Sequence, residues 1–225
     1  MRIPISYPMN AGKPGWPGNQ IYEITRVRST VAGDRNNSCI VRFHEHYGTH
    51  FDAPNHFNHE GAQIAQLPFD YFFYQRPVLI EIPKGADEKL TPEDFQAHAA
   101  GIAQADFLMI RTGFGALRDS DPALYQDHTP SVSQQAAQYL VQTFGATLKA
   151  ICLDFVSLAS PSDQSDDGAM AHKHLLGCYT DDFICIVEDA DLSQVPANAP
   201  LKAAATIPLR MEGIDSGPVT AWVEC

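Results

Sequence analysis

The sequence has 225 residues, of which 44% are hydrophobic and 19% are charged, and its formal net charge is −12. This composition excludes an intrinsically disordered chain, and the negative charge argues against nucleic acid as a partner. No apolar run is long enough for a transmembrane helix or a signal peptide, so we expect no membrane partner. Five cysteines without a CxxC pair favour free thiols and a cytoplasmic location.

The predicted elements begin with an extended arm, because residues 1–20 are rich in proline and glycine. Residues 21–29 and 38–46 alternate apolar and polar side chains, which predicts a strand, a turn and a second strand. Later apolar or alternating runs predict further strands at 76–83, 105–113, 148–157, 182–189, 202–209 and 217–225. We therefore expect a sheet of many short strands.

Three segments carry the capping residues or the apolar periodicity that predict helices. Residues 91–100 begin with Thr91 as N-cap and Pro92 at the first helical position. Residues 129–145 place Val132, Ala136, Tyr139, Leu140 and Phe144 on one face and end at Gly145, and a shorter helix is expected around 169–177. Strands that alternate with helices predict an α/β (mixed α+β) fold, with a mixed β-sheet core, packed helices and a single domain over 1–225.

Five of the nine histidines lie in the stretch "HEHYGTHFDAPNHFNH", residues 44–59. Within it, His46, His50, Asp52 and His56 follow the pattern H-x3-H-x-D-x3-H. All four positions are even, so an ideal strand would carry them on one face. Gly48 and the proline at 54 argue against a helix. We place the cluster at a strand end that enters a tight loop.

Two imidazoles and one carboxylate from one short segment form a ligand set for a divalent metal and leave coordination positions open. His56 could act as an acid or base, since the histidine pKa lies near neutral pH. A lone histidine is more often a packed or surface residue, but the combined set favours metal binding. His44 and His59 fall outside the set and are expected to be bystanders.

The segment "HYGTHFDAPNHF" resembles the signature H-x-G-T-H-x-D-x-P-x-H of the cyclase family of metal-dependent hydrolases, which includes kynurenine formamidase (arylformamidase) and isatin hydrolase. The resemblance covers almost the whole chain and implies the swivelling β/β/α-type cyclase fold. The other similar segments are "SYPMNAGKPGWPGN", "FLMIRTGFG", "ICLDFVSLASP", "AHKHLLG", "CIVEDADLSQV" and "IPLRMEGIDSGPVTAWV".

The resemblance implies a role for seven residues. His46, His50 and Asp52 would bind a first divalent metal, and Asp52 would bridge to a second metal. His172 and Glu188 would hold that second ion, so each subunit would bind one or two ions of zinc or manganese. His56 would be the catalytic proton donor and acceptor, and Trp16 would line the substrate pocket.

One departure from the family pattern concerns the second metal. His172 and Glu188 are sixteen positions apart, farther than in formamidase-like members, which indicates a longer loop around "CYTDD". His174 is the rival ligand. Without the resemblance, His172 would pass for a helix residue and Glu188 for a strand-end acid. Ser157, with Asp154 nearby, lacks the G-x-S-x-G context of a nucleophile, and we interpret both residues as structural or as supports for the metal ligands.

The implied activity is hydrolysis of an amide by metal-activated water, most simply that of an arylformamidase converting N-formylkynurenine to kynurenine and formate. An isatin hydrolase-like or other cyclic amide hydrolase or cyclase is the alternative. A non-catalytic metal-binding or interaction protein that retains the fold is a third. Aromatic side chains such as Trp16, Tyr47 or Phe57 could stack on an aromatic small-molecule amide or lactam. The resemblance also implies a homodimer or homotetramer.

Overall fold

The computed structural model describes residues 1–197 and 200–225. The strands in these residues are β1 Arg2–Pro4, β2 Tyr22–Arg28, β3 Ser38–Phe43, β4 His50–Asp52, β5 Phe73–Tyr74, β6 Pro77–Glu81, β7 Lys89–Leu90, β8 Phe107–Arg111, β9 Ser131–Val132, β10 Ala150–Leu153, β11 Cys185–Glu188, β12 Ala203–Pro208 and β13 Ser216–Glu224. The α-helices are α1 Pro92–Gln96, α2 Ala99–Ile102, α3 Leu117–Ser120, α4 Pro122–Asp127, α5 Gln134–Phe144 and α6 Asp167–Leu175.

The main sheet confirms the predicted mixed architecture. Its strands follow the order β5-β12-β13-β4-β11-β10-β8-β6, with β1 paired to β13. Strands β6, β8, β10 and β11 run parallel to one another, whereas β4 is antiparallel to both of its neighbours, β11 and β13. The histidine-rich segment thus contributes a short strand to the middle of the sheet.

Both faces of the sheet are buried, as the continuous apolar runs predict. On β8, Leu108 and Ile110 face a core built with helix α5. Phe107 and Met109 alternate with them and face a second core, which includes residues of β12 and β13. A central strand covered on both sides has little freedom to shift, so the side chains at its ends are held firmly.

The predicted helices form, with one difference in their extent. Residues 91–100 form α1 and α2 in succession rather than one helix, and the capping box joins Thr91 N–H to the Asp94 carboxylate at 2.8 Å. Helix α5 ends where Gly145 was expected to end it. That glycine has a right-handed φ of −57°, and a Cβ there would lie 2.5 Å from the Val141 carbonyl oxygen. Close packing therefore requires Gly145.

The hairpin β2–β3 is shorter than predicted, because the second strand ends at Phe43 instead of residue 46. The two strands pair with each other and lie outside the main sheet. Their apolar side chains Ile24, Val27 and Ile40 are more than half exposed. The alternation that predicts the strands therefore does not mark a buried face here.

The N-terminal twenty residues contain no helix, in agreement with the predicted extended arm. The arm is fixed to its own chain, since β1 pairs with the end of β13. The Tyr47 hydroxyl donates to the Asn10 carbonyl at 2.7 Å and accepts from Lys13 N–H at 3.0 Å. None of the helices in the described part of the chain combines the length and apolar character needed to cross a bilayer.

Candidate metal centre

The histidine-rich segment reaches the site through a turn, a strand and a 3-10 helix. The chain turns after β3, and Gly48 adopts a φ of +74° that favours glycine. His50 and Asp52 then lie on β4, and His56 ends the 3-10 helix Pro54–His56. A short strand that runs into a tight turn agrees with the predicted placement, and no single strand carries all four residues. The four side chains nevertheless converge, because the turn and the 3-10 helix fold back toward β4.

The buried donor atoms of this cluster fit a metal ion. His46 Nδ1 lies 3.1 Å and His50 Nε2 lies 3.5 Å from Asp52 Oδ1. His50 Nε2 and both Asp52 carboxylate oxygens are buried without a hydrogen-bond partner among the described residues. Each such orphaned group costs about 1–3 kcal/mol. A divalent cation would use all three atoms as ligands, so the residues fit the expected metal.

Backbone carbonyls orient two of the imidazoles. His50 Nδ1 is 2.9 Å from the Gly48 carbonyl oxygen, and His172 Nδ1 is 2.8 Å from the Gly168 carbonyl oxygen. A contact of this kind fixes the tautomer and leaves Nε2 free to bind a metal. Both rings are therefore arranged as ligands.

His172 and Glu188 approach the same cluster from α6 and β11. Glu188 carboxylate oxygens lie 3.3 Å from His50 Nε2 and 3.6 Å from His172 Nε2. The Glu188 carboxylate accepts two hydrogen bonds, one from Ser157 Oγ at 3.0 Å and one from the Leu158 N–H at 2.6 Å. The predicted long loop occupies residues 176–184 between α6 and β11, and it does not separate the two residues in space.

The neighbouring histidines differ from His172 in position. His174 packs against the Tyr179 ring at 4.7 Å and does not line the pocket, whereas His172 does. His59 is exposed and lies near Glu60, and His44 accepts a hydrogen bond from the backbone of His46. Asp154 accepts hydrogen bonds from the N–H groups of Thr112 and Gly113 and is thus a structural residue of that turn.

Among the described residues, three groups of side chains each bring their ligand atoms within 4.8 Å of one another. They are His46, His50 and Asp52; Asp52, His56 and His172; and His46, His56 and Asp215. The first is the predicted primary metal set. The second places His56 within ligand distance of Asp52 and His172. Glu188 belongs to none of the three.

Asp215 is a site residue that the sequence analysis missed. Its Oδ2 atom is 2.6 Å from His56 Nδ1 and 3.1 Å from His46 Nε2. The residue precedes β13, whose first residue Ser216 pairs with Asp52. The segment "GIDSGPV" carried the family resemblance, but only the pairing of β13 with β4 shows that its aspartate meets the histidines.

Neighbouring charges shift the pKa values of the site residues strongly. Burial alone would raise the pKa of Asp52, but the charges of His56, His50 and His46 lower it far below its usual range. Burial would lower the pKa of His46, but the Asp52 charge and the hydrogen bond with Asp215 raise it to about 11. Burial would raise the pKa of Glu188, but the adjacent imidazoles of His172 and His50 lower it well below its usual value. The acids thus stay negative, as metal ligands must.

The cluster opens into a cavity of about 400 Å³. Trp16 lines this cavity, as predicted, and so does Phe57, whose ring stacks on His172 with centroids 4.5 Å apart. Tyr47 does not contribute to it, because that ring is buried and its hydroxyl holds the N-terminal arm. The proposal that Tyr47 stacks on a substrate was therefore wrong. Three serine residues complete the wall, Ser157, Ser160 and Ser165.

Comparison with known proteins gives the family. The Cyclase family model, described as "Putative cyclase", matches residues 3–160, and the chain belongs to that family. An uncharacterized protein from Haemophilus influenzae is 39% identical over 107 residues, which are 48% of this chain and 75% of that protein.

Solved structures share the fold across nearly the whole chain. Isatin hydrolase A from Labrenzia aggregata, bound to benzyl benzoate, has a TM-score of 0.81 at 18% identity and covers 99% of this chain and 93% of its own. Isatin hydrolase A from Ralstonia solanacearum has a TM-score of 0.79 at 19% identity, covering 99% and 91%. A predicted metal-dependent hydrolase from Bacillus stearothermophilus has a TM-score of 0.74 at 22% identity, covering 99% and 97%.

Proposed function

We propose that the protein is a metal-dependent amide hydrolase with its catalytic centre at His46, His50 and Asp52. The observation that carries this proposal is the set of orphaned polar atoms, His50 Nε2 and both Asp52 oxygens, buried beside the cavity. A divalent ion held there would activate water and polarise a carbonyl group. Nitrogen and oxygen ligands suit zinc and manganese equally, and His172 with Glu188 would hold a second ion.

His56 has the geometry of the proton carrier. Asp215 engages Nδ1 at 2.6 Å, which fixes the tautomer and leaves Nε2 for proton transfer. In the proposed reaction His56 takes a proton from the attacking water and delivers it to the leaving amide nitrogen. Asp215 stays ionised, because the hydrogen bonds of His46 and His56 outweigh the effect of burial and lower its pKa far below the usual range.

The cavity supports a small aromatic amide as substrate. Trp16 and Phe57 supply flat apolar surfaces, and aromatic rings prefer to stack on or meet the edges of such surfaces. Hydrolysis of an aryl formamide, as in an arylformamidase, is our first candidate. Ring opening of a lactam such as isatin is the second, and it is favoured by the fold shared with two isatin hydrolases.

A substrate comparison tests the proposal. The purified protein, stripped with a chelator and reloaded with Mn²⁺ or Zn²⁺, is assayed for formate release from N-formylkynurenine and for ring opening of isatin. We expect the reloaded protein to hydrolyse one of them and the stripped protein to be at least about 100-fold slower. Equal rates with and without metal would contradict a metal mechanism. Tight metal binding without turnover on a broader amide and lactam panel would indicate the non-catalytic alternative.

A further inference from the structure

A buried ion pair lies at the end of β11, beside the candidate metal centre. The Arg118 guanidinium donates two hydrogen bonds to the Asp189 carboxylate, at 2.7 and 2.8 Å, and both side chains are at most 5% exposed. The Tyr125 hydroxyl donates to the same carboxylate at 2.8 Å, and the guanidinium lies 3.9 Å from the centre of the Tyr7 ring. The proposed hydrolytic reaction uses none of these four residues.

Asp189 is held through every polar group that it has. Its N–H donates to the Phe155 carbonyl at 2.9 Å, and its own carbonyl accepts from Thr49 Oγ1. Its backbone φ is +52°, a left-handed conformation that aspartate tolerates better than most residues. The chain therefore leaves β11 in one fixed direction, and Arg118 holds the Asp189 side chain at this point.

Glu188 is the residue immediately before this fixed point. The ion pair holds Asp189, the first residue after β11, while Glu188, the last residue of β11, reaches His50 and His172. We propose that Arg118 is a positioning residue that, through Asp189, directs the Glu188 carboxylate toward His172 for a second divalent ion. This inference rests on the proposed function, because it concerns an ion of the same site.

The physical character of the pair supports positioning rather than stabilisation. Replacing a buried ion pair with apolar residues often leaves a protein as stable as before or more stable, because the desolvation of two charges is expensive. A two-bond guanidinium–carboxylate contact is directional, however, and an apolar contact is not. Removal of the whole pair should therefore preserve the fold and release the orientation of Glu188.

The test compares metal binding by three full-length proteins. Arg118→Met/Asp189→Asn removes both charges and keeps a residue that tolerates a positive φ at 189. Arg111→Met is the matched control, because Arg111 donates to the Leu192 and Val195 carbonyls just downstream without touching Asp189. Each protein is stripped and titrated with Mn²⁺ by calorimetry, and its thermal midpoint is recorded.

We expect two binding events in the wild type and in Arg111→Met. In the double variant the weaker event should lose at least tenfold in affinity, while the stronger event and the thermal midpoint change little. Wild-type affinity for both ions in the double variant would overturn the proposal. A single binding event in the wild-type protein would also overturn this proposal. If that wild-type protein still hydrolyses an amide in a metal-dependent reaction, the proposed function remains valid.

A second variant decides the question if the double variant does not fold. Arg118→Lys keeps a positive charge but cannot form the planar two-bond contact. We expect a smaller loss of affinity confined to the weaker event, with the rest of the binding curve unchanged. Retention of both wild-type affinities in Arg118→Lys would overturn the proposal.

Discussion

The contact between Asp215 and His56 allows the sharpest prediction about catalysis. The substitution Asp215→Asn removes the negative charge that lies 2.6 Å from His56 Nδ1 and 3.1 Å from His46 Nε2. An amide at this position cannot stabilise a protonated His56, and its nitrogen can force the opposite tautomer. We therefore expect slower turnover, because His56 must accept and return a proton in the proposed reaction.

The size of this effect follows from the interaction that is lost. A hydrogen bond to a charged group contributes about 1.5–3 kcal/mol, and about 1.36 kcal/mol changes a rate tenfold. The expected decrease in kcat is therefore about 10- to 150-fold. KM should change little, since Asp215 lies behind His56 and is absent from the residues that line the cavity in the described part of the chain.

Steady-state kinetics and metal analysis on the same preparations measure the effect. Asp191→Asn is the matched control, because that carboxylate binds Ser193 at the surface and lies outside the cavity. The control should keep both wild-type turnover and wild-type metal content. Wild-type kcat in Asp215→Asn would refute the role of the pair, and parallel loss of metal would show that Asp215 is a ligand or holds His46 as one.

Further predictions concern the acid/base residue, the core and the loop beside the cavity. His56→Ala should retain its metal by elemental analysis and lose about 10²- to 10⁴-fold in kcat; loss of the metal would make His56 a ligand. Leu140→Ala, at a fully buried position of α5, should lower the free energy of unfolding by about 2–5 kcal/mol in denaturant titrations, and no change would contradict the packing. Hydrogen bonds from Lys89 and Ser165 lower the pKa of Asp163 from 3.8 to about 2, so this carboxylate stabilises the fold above about pH 4. Asp163→Asn should cost about 1 kcal/mol at neutral pH, and the difference from wild type should vanish as the pH falls through 2; a difference that persists there would show another cause.

The architecture was largely predictable because its signals are local. The buried strands β8, β10 and β11 are continuous apolar runs, and the Thr91 and Ser133 caps mark where helices begin. The order of the strands was not predictable from such signals. The strand between β11 and β13 is β4, which spans only three residues. Its position depends on long-range pairing that no local signal predicts.

The candidate site was predictable in identity and less so in geometry. The resemblance of "HYGTHFDAPNHF" to the cyclase signature is confirmed by membership of that family, and the structure brings together all five proposed ligands with His56 and Trp16. The even spacing suggested one strand face, whereas a turn at Gly48 and a 3-10 helix create the actual convergence. Asp215 was missed because it lies 159 residues from His56 in the chain.

Several expectations stay predictions. These are the single domain over 1–225, the cytoplasmic location, the absence of nucleic-acid and membrane partners, the choice between zinc and manganese, and the homodimer or homotetramer. The roles of His46, His50, Asp52, His56, His172, Glu188 and Trp16 are proposals that rest on their placement around one cavity.

The central claim is that a divalent ion binds between His50 and Asp52, and anomalous diffraction tests it most directly. Crystals of the protein loaded with Zn²⁺ or Mn²⁺ are measured on both sides of the absorption edge of that metal. We predict an anomalous peak about 2.0–2.2 Å from His50 Nε2 and from an Asp52 oxygen, with His46 completing the ligand set. A map without a peak at these residues, from protein that hydrolyses its substrate at full rate, would contradict the account.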